Sequence, residues 1–181
     1  LYHWHNTVQV ADVGNIKTGA TLQDTYVALQ TVISELLLLG KKVIIIGGSH
    51  DVTLAQYQAY ANREQIIEVS CVDAQIDIDF DANLPSQQFL LPMLTGDPNF
   101  IKHYNHIGFQ SYMVHPRMLE TIDKLRFDCY RVGRVKESLE EMEPVLRNSH
   151  MLSVDITAIA NAYAPANRLT PNGFTGEEIC T

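Results

Sequence analysis

Three short apolar runs in this chain end alike. Val43-Ile44-Ile45-Ile46 stops at Gly47-Gly48 and then presents Ser49-His50-Asp51. Val69-Ser70-Cys71-Val72 leads into Asp73-Ala74-Gln75-Ile76-Asp77, and Met151-Leu152-Ser153-Val154 leads into Asp155-Ile156-Thr157. Runs this short, bounded by glycine or acidic residues, suit buried strands of a parallel sheet. Ligands of such sheets bind beyond the carboxyl ends of the strands, so polar residues placed there can converge.

Helical patterns fill the intervals. Leu22, Tyr26, Leu29, Ile33 and Leu36 recur as one helix face, with Thr21 and Asp24 as its cap and Gly40 as its stop. Val52 to Asn62 reads as a helix, Ile66 to Val72 as a strand and Gln87 to Leu94 as a helix. His103 to Phe109 reads as a strand, Pro116 opens a helix to about Leu125, and Phe127 to Val132 is a further strand. Val135 to Leu146 reads as one acidic helix, and Thr175 with Glu178 forms a capping box for the last. This alternation predicts an α/β fold: a three-layer, doubly wound, mostly parallel sheet. With no repeat or linker, residues 1–181 read as a single domain. The chain opens without methionine and stops abruptly at Cys180-Thr181, so the domain reads as incomplete at its C-terminus.

Net charge is −8, which disfavours nucleic acid and anionic membranes as partners. The longest apolar run, around Leu36 to Leu39, is too short to span a bilayer. Three cysteines without paired spacing give no disulfide framework and suit a reducing, cytoplasmic setting. Cys71 and Cys129 lie in apolar strands and read as core thiols. His103 and His106 precede a strand and read as solvated loop histidines rather than ligands.

One histidine and three aspartates at strand ends, His50, Asp73, Asp77 and Asp155, form a donor set for a hard or borderline divalent cation. Mn²⁺ fits oxygen donors with one imidazole, and Zn²⁺ is also compatible. Asp51, beside His50, is a candidate to support the ligands from behind.

In order, Gly47-Gly48-Ser49-His50, Asp73-Ala74-Gln75-Ile76-Asp77 and Ser153-Val154-Asp155-Ile156-Thr157 resemble the three metal-binding motifs of the ureohydrolases, the family of arginase, agmatinase and formimidoylglutamase. Ala164-Pro165 and the Asn172-Gly173-Phe174-Thr175 segment with Glu178 resemble the family's stretch after its third motif. The resemblance implies an arginase-like fold, a binuclear Mn²⁺ centre and hydrolysis of a guanidino or formimino C–N bond in a small, linear substrate. It also implies a homo-oligomer, trimer or hexamer. Two positions depart from the pattern: Gln75 replaces a histidine and Thr157 an aspartate. By the resemblance, His50, Asp73, Asp77 and Asp155 hold one ion, while the other would share Asp73 and Asp155 and use the two replaced positions. The expectation is therefore at most one Mn²⁺ per chain. Its rival is a catalytically inactive binding or assembly protein, with Gln75 and Thr157 hydrogen-bonded to the carboxylates. The family's further histidine after the second motif has no counterpart between Asp81 and Leu94.

Overall fold

A computed structural model describes residues 8–79, 81 and 83–181. Among the described residues, four parallel strands form one sheet: β1 (Ile67–Val72), β2 (Ile101–Phe109), β3 (Asp128–Arg131) and β4 (Met151–Val154). Their spatial order is β3-β2-β1-β4. The chain moves outward from β1 to β2 and β3, then returns to lay β4 on the other side of β1. That reversal creates a switch point between β1 and β4, where the carboxyl ends of the strands diverge and leave a crevice.

Helices cover both faces. On one, α2 (Val52–Ala61), α3 (Leu90–Thr95) and α4 (Pro116–Lys124) bury Tyr57, Met93 and Ile122 against Ile67, Val69 and Tyr104 of the sheet. On the other, Val135 of α5 (Val132–Glu137) and Met142 pack against Val72, Ile107 and Phe174. The long α1 (Leu22–Leu38) lies on α2 through Tyr26, Leu29 and Ile33, and its Thr21–Asp24 capping box forms as predicted. Leu22, counted on that apolar face, is exposed.

Two expectations are corrected. Val43–Ile46 is not a strand: it lies beside α1 and α2 and has no ladder partner among the described residues. Val43 and Ile45 pack on the α1–α2 cluster, while Ile44 and Ile46 are 82% and 93% exposed. An apolar run becomes a strand only where a neighbouring edge takes up its backbone N–H and C=O groups. The acidic helix of 135–146 is broken into α5, a short 3₁₀ turn (Leu139–Met142) and α6 (Glu143–Asn148). Pro144, without an N–H, sits in the first turn of α6, where a helix tolerates it and a continuous one would not.

Candidate metal centre

Each motif delivers its polar residues by a different local device. Gly47 and Gly48 take φ of 93° and 86°, positive values that favour glycine, and lead the chain into α2 with His50 at the helix entrance. Asp73 follows the last residue of β1, and its Oδ1 accepts the Gln75 N–H at 3.1 Å, which closes a tight turn. Asp155 follows β4 and caps a 3₁₀ turn (Ile156–Ala158), its Oδ1 accepting the Thr157 N–H at 2.8 Å. Since β1 and β4 are adjacent, with Val72 paired to Val154, the two aspartates emerge side by side at the switch point.

The second oxygens of these aspartates point to one place. His50 Nδ1 lies 2.8 Å from Asp77 Oδ2, 3.0 Å from Asp73 Oδ2 and 3.8 Å from Asp155 Oδ2. His50, Asp73 and Asp155 each offer a ligand atom within 4.8 Å of the others, and Asp77 adjoins them through its bond to His50. All four expected ligands are thus brought together, although His50 comes from the turn that enters α2 rather than from a strand end.

The opposite ring nitrogen is held separately. Nε2 is 3.0 Å from Ser153 Oγ and 3.6 Å from Cys71 Sγ, and Ser153 Oγ is 2.7 Å from Thr53 Oγ1. The Phe89 ring meets the imidazole edge-on, centroids 4.8 Å apart. Sequence reasoning does not single out Thr53, Cys71 or Phe89 as site residues. One signal exists for Thr53: a helix beginning directly after His50 returns the residue three positions on to the same side.

The electrostatics of the cluster are set by burial and by the three carboxylates around one imidazole. Burial alone would lower the pKa of His50; contact with Cys71 and hydrogen bonds to Asp73 and Asp77 outweigh it and hold the imidazole well above its ordinary value. Burial pushes the Cys71 thiol up and keeps it neutral, so at neutral pH the carboxylates are what retain the proton. Asp77 is driven upward by burial and by the neighbouring Asp73 carboxylate. In Asp73 burial opposes ionisation, but the His50 and Thr157 hydrogen bonds win and its pKa is lowered. Three carboxylate oxygens around one nitrogen, with little exposure, suit a divalent cation in place of that proton.

The replaced positions behave differently from one another. The Thr157 hydroxyl donates to Asp73 Oδ1 at 2.5 Å. Gln75 reaches Asp73 through its backbone N–H, while its side chain lines a small cavity with Asp77, Asp79 and Met113. Asp51 turns away from the four ligands: its carboxylate accepts the Tyr26 hydroxyl of α1 and borders a cavity of about 440 Å³ that Phe89 and Leu54 also line. Of the other histidines, His103 pairs with Asp128 at 2.9 Å. His106 corrects the expectation of a solvated loop residue. It is 1% exposed within β2, with Nδ1 2.9 Å from the Tyr104 hydroxyl and Nε2 3.2 Å from the Asp73 carbonyl oxygen.

The sequence profile of the Arginase family matches residues 2–181. The chain belongs to the arginase family. It is 29% identical over 133 residues to a formimidoylglutamase of Hahella chejuensis, an alignment covering 67% of this chain and 40% of that protein. Its fold superimposes on the Trypanosoma cruzi formiminoglutamase crystallised with Mn²⁺, at a TM-score of 0.83 and 17% identity, covering 92% of this chain and 59% of that one. The agmatine ureohydrolase of Thermoplasma volcanium gives a TM-score of 0.75 at 23% identity, covering 93% and 58%. This arginase-family chain therefore spans 40% of the length of its curated relative and just under 60% of these two solved structures. Among the described residues, no helix is long and apolar enough to cross a membrane.

Proposed function

We propose that this arginase-family protein hydrolyses a non-peptide, linear C–N bond of a guanidino or formimino compound, using one divalent cation, Mn²⁺ by preference. His50, Asp73, Asp77 and Asp155 would hold it. The observation that carries this reading is the division of labour between the carboxylate oxygens. The Oδ2 atoms of all three aspartates face His50 Nδ1, whereas Oδ1 of Asp73 accepts two protein donors and Oδ1 of Asp155 accepts one. The oxygens that a second ion would have to share are already engaged, and Gln75 and Thr157 lack the charge to compensate. When bound, such a cation supplies Lewis acidity and a lowered pKa for a coordinated water. The chain's own part is to converge three carboxylates, to keep His50 fixed between Phe89 and Ser153, and to limit water around them.

One observation favours a second reading. The Thr157–Asp73 hydrogen bond, together with a proton on His50, satisfies the site without metal. That would suit a non-catalytic binding protein built on the same fold.

Metal content per protomer separates the readings, measured after incubation with excess Mn²⁺ on wild type and His50→Ala. About one ion, lost in the variant, supports the one-metal enzyme and leads to a screen of arginine, agmatine and formimidoylglutamate for urea or formamide release. Two ions would overturn the mononuclear site. No ion would leave the binding protein.

A further inference from the structure

Asp51 is a buried carboxylate that the metal centre does not use. It is 2% exposed, and its Oδ2 accepts the Tyr26 hydroxyl of α1. Among the described residues, no lysine, arginine or histidine pairs with it. Buried carboxylates are ordinarily paired, because an uncompensated charge away from water is costly. This one borders the cavity of about 440 Å³ between α1, α2 and α3, a volume typical of small-molecule sites. Leu22, Leu54, Phe89 and Leu91 give the cavity apolar walls. Among the described residues no basic side chain lines it, and Asp79 adds a second acid. Phe89 borders both this cavity and the His50 imidazole, but none of His50, Asp73, Asp77 and Asp155 lines it.

We infer that this cavity is a second binding site, separate from the metal centre, for a small organic monocation: an ammonium head on an apolar body. The head answers Asp51. Tyr26 occupies Oδ2, and Oδ1 is left for a ligand donor. An ammonium group gives up to three hydrogens from one point, so a single carboxylate oxygen suffices for it. A planar guanidinium fork would need both oxygens, and one already serves Tyr26. The body answers the walls. Leucine side chains and an aromatic ring gain by covering hydrocarbon, whereas a hydrated inorganic ion would set its water against them. An anion would be repelled by Asp51 and Asp79. A neutral alcohol could donate to Oδ1 but would leave the buried charge uncompensated. The site owes nothing to the metal reading, since it shares no lining residue with the four candidate ligands.

The test is calorimetric titration of the purified protein at pH 8 with hexylamine, hexan-1-ol and hexanoate, which share a body and differ in the head. Hexylamine should bind with a Kd of about 1 mM or tighter. Hexan-1-ol should bind at least about 10-fold more weakly, and hexanoate not at all. Asp51→Asn keeps an acceptor for Tyr26 and should weaken hexylamine about 10-fold or more. Leu54→Trp fills the cavity without touching the charge and should weaken both the amine and the alcohol. Asp155→Asn should leave hexylamine affinity unchanged, which separates this cavity from the carboxylates around His50. Thermal melts check that each variant is folded. The site is refuted if hexylamine fails to bind at up to about 10 mM, or if hexan-1-ol binds as tightly. It is equally refuted if Asp51→Asn binds the amine like wild type, or if Asp155→Asn loses it.

Discussion

His106 offers a direct measurement of how the site is supported. The residue is buried in β2, and burial, the largest influence on it, pushes its pKa down to about 4 from an ordinary 6.5, against the smaller opposing pull of Asp73. Between those two values the unfolded chain binds a proton that the folded protein refuses. The contribution is therefore fully present above pH 6.5 and is lost as pH falls toward 4. At pH 4.5 the loss is about 2–3 kcal/mol for a shift of this size, with no discount for solvent because the ring is fully enclosed. His106→Gln removes the titration while keeping an amide that can accept from Tyr104 and donate to the Asp73 carbonyl. Urea unfolding at pH 7.5 and 4.5 would read the difference. Wild type should lose about 2–3 kcal/mol more than the variant between the two pH values. Parallel losses would show that His106 is not held neutral by burial.

Two more outcomes are expected from the same geometry. Restoring the replaced positions together, Gln75→His with Thr157→Asp, should raise bound Mn²⁺ above the wild-type stoichiometry, read by elemental analysis; it should also destabilise the metal-free protein, because a fourth carboxylate then faces Asp73. Gly108 lies at φ +94°, and a Cβ there would come 2.7 Å from Phe174 Cε2. Gly108→Ala should cost at least about 2 kcal/mol in chemical denaturation, from backbone strain and overpacking combined; a variant as stable as wild type would mean that Phe174 is free to move.

The four candidate ligands are legible in the sequence because the chemistry is local: a carboxylate or imidazole just past an apolar run is visible there, and three such endings in order are few. The helix caps at Thr21 and Thr175 are legible for the same reason, since each is decided within four residues. Val43–Ile46 misleads because composition signals burial but not a hydrogen-bonded neighbour, and only the sheet order decides which edge exists. His106 cannot be placed from sequence because its burial depends on Tyr104, on the Asp73 carbonyl and on the helices packed over β2. The sequence by itself determined which groups are available to a cation. Tertiary structure alone decided their orientation: Oδ2 atoms inward, Oδ1 atoms tied to backbone and Thr157, Asp51 turned toward Tyr26, and two hydroxyls, about 100 positions apart, in line behind one imidazole. Orientation is set by contacts between distant segments, and those contacts come into being only when the sheet closes around β1.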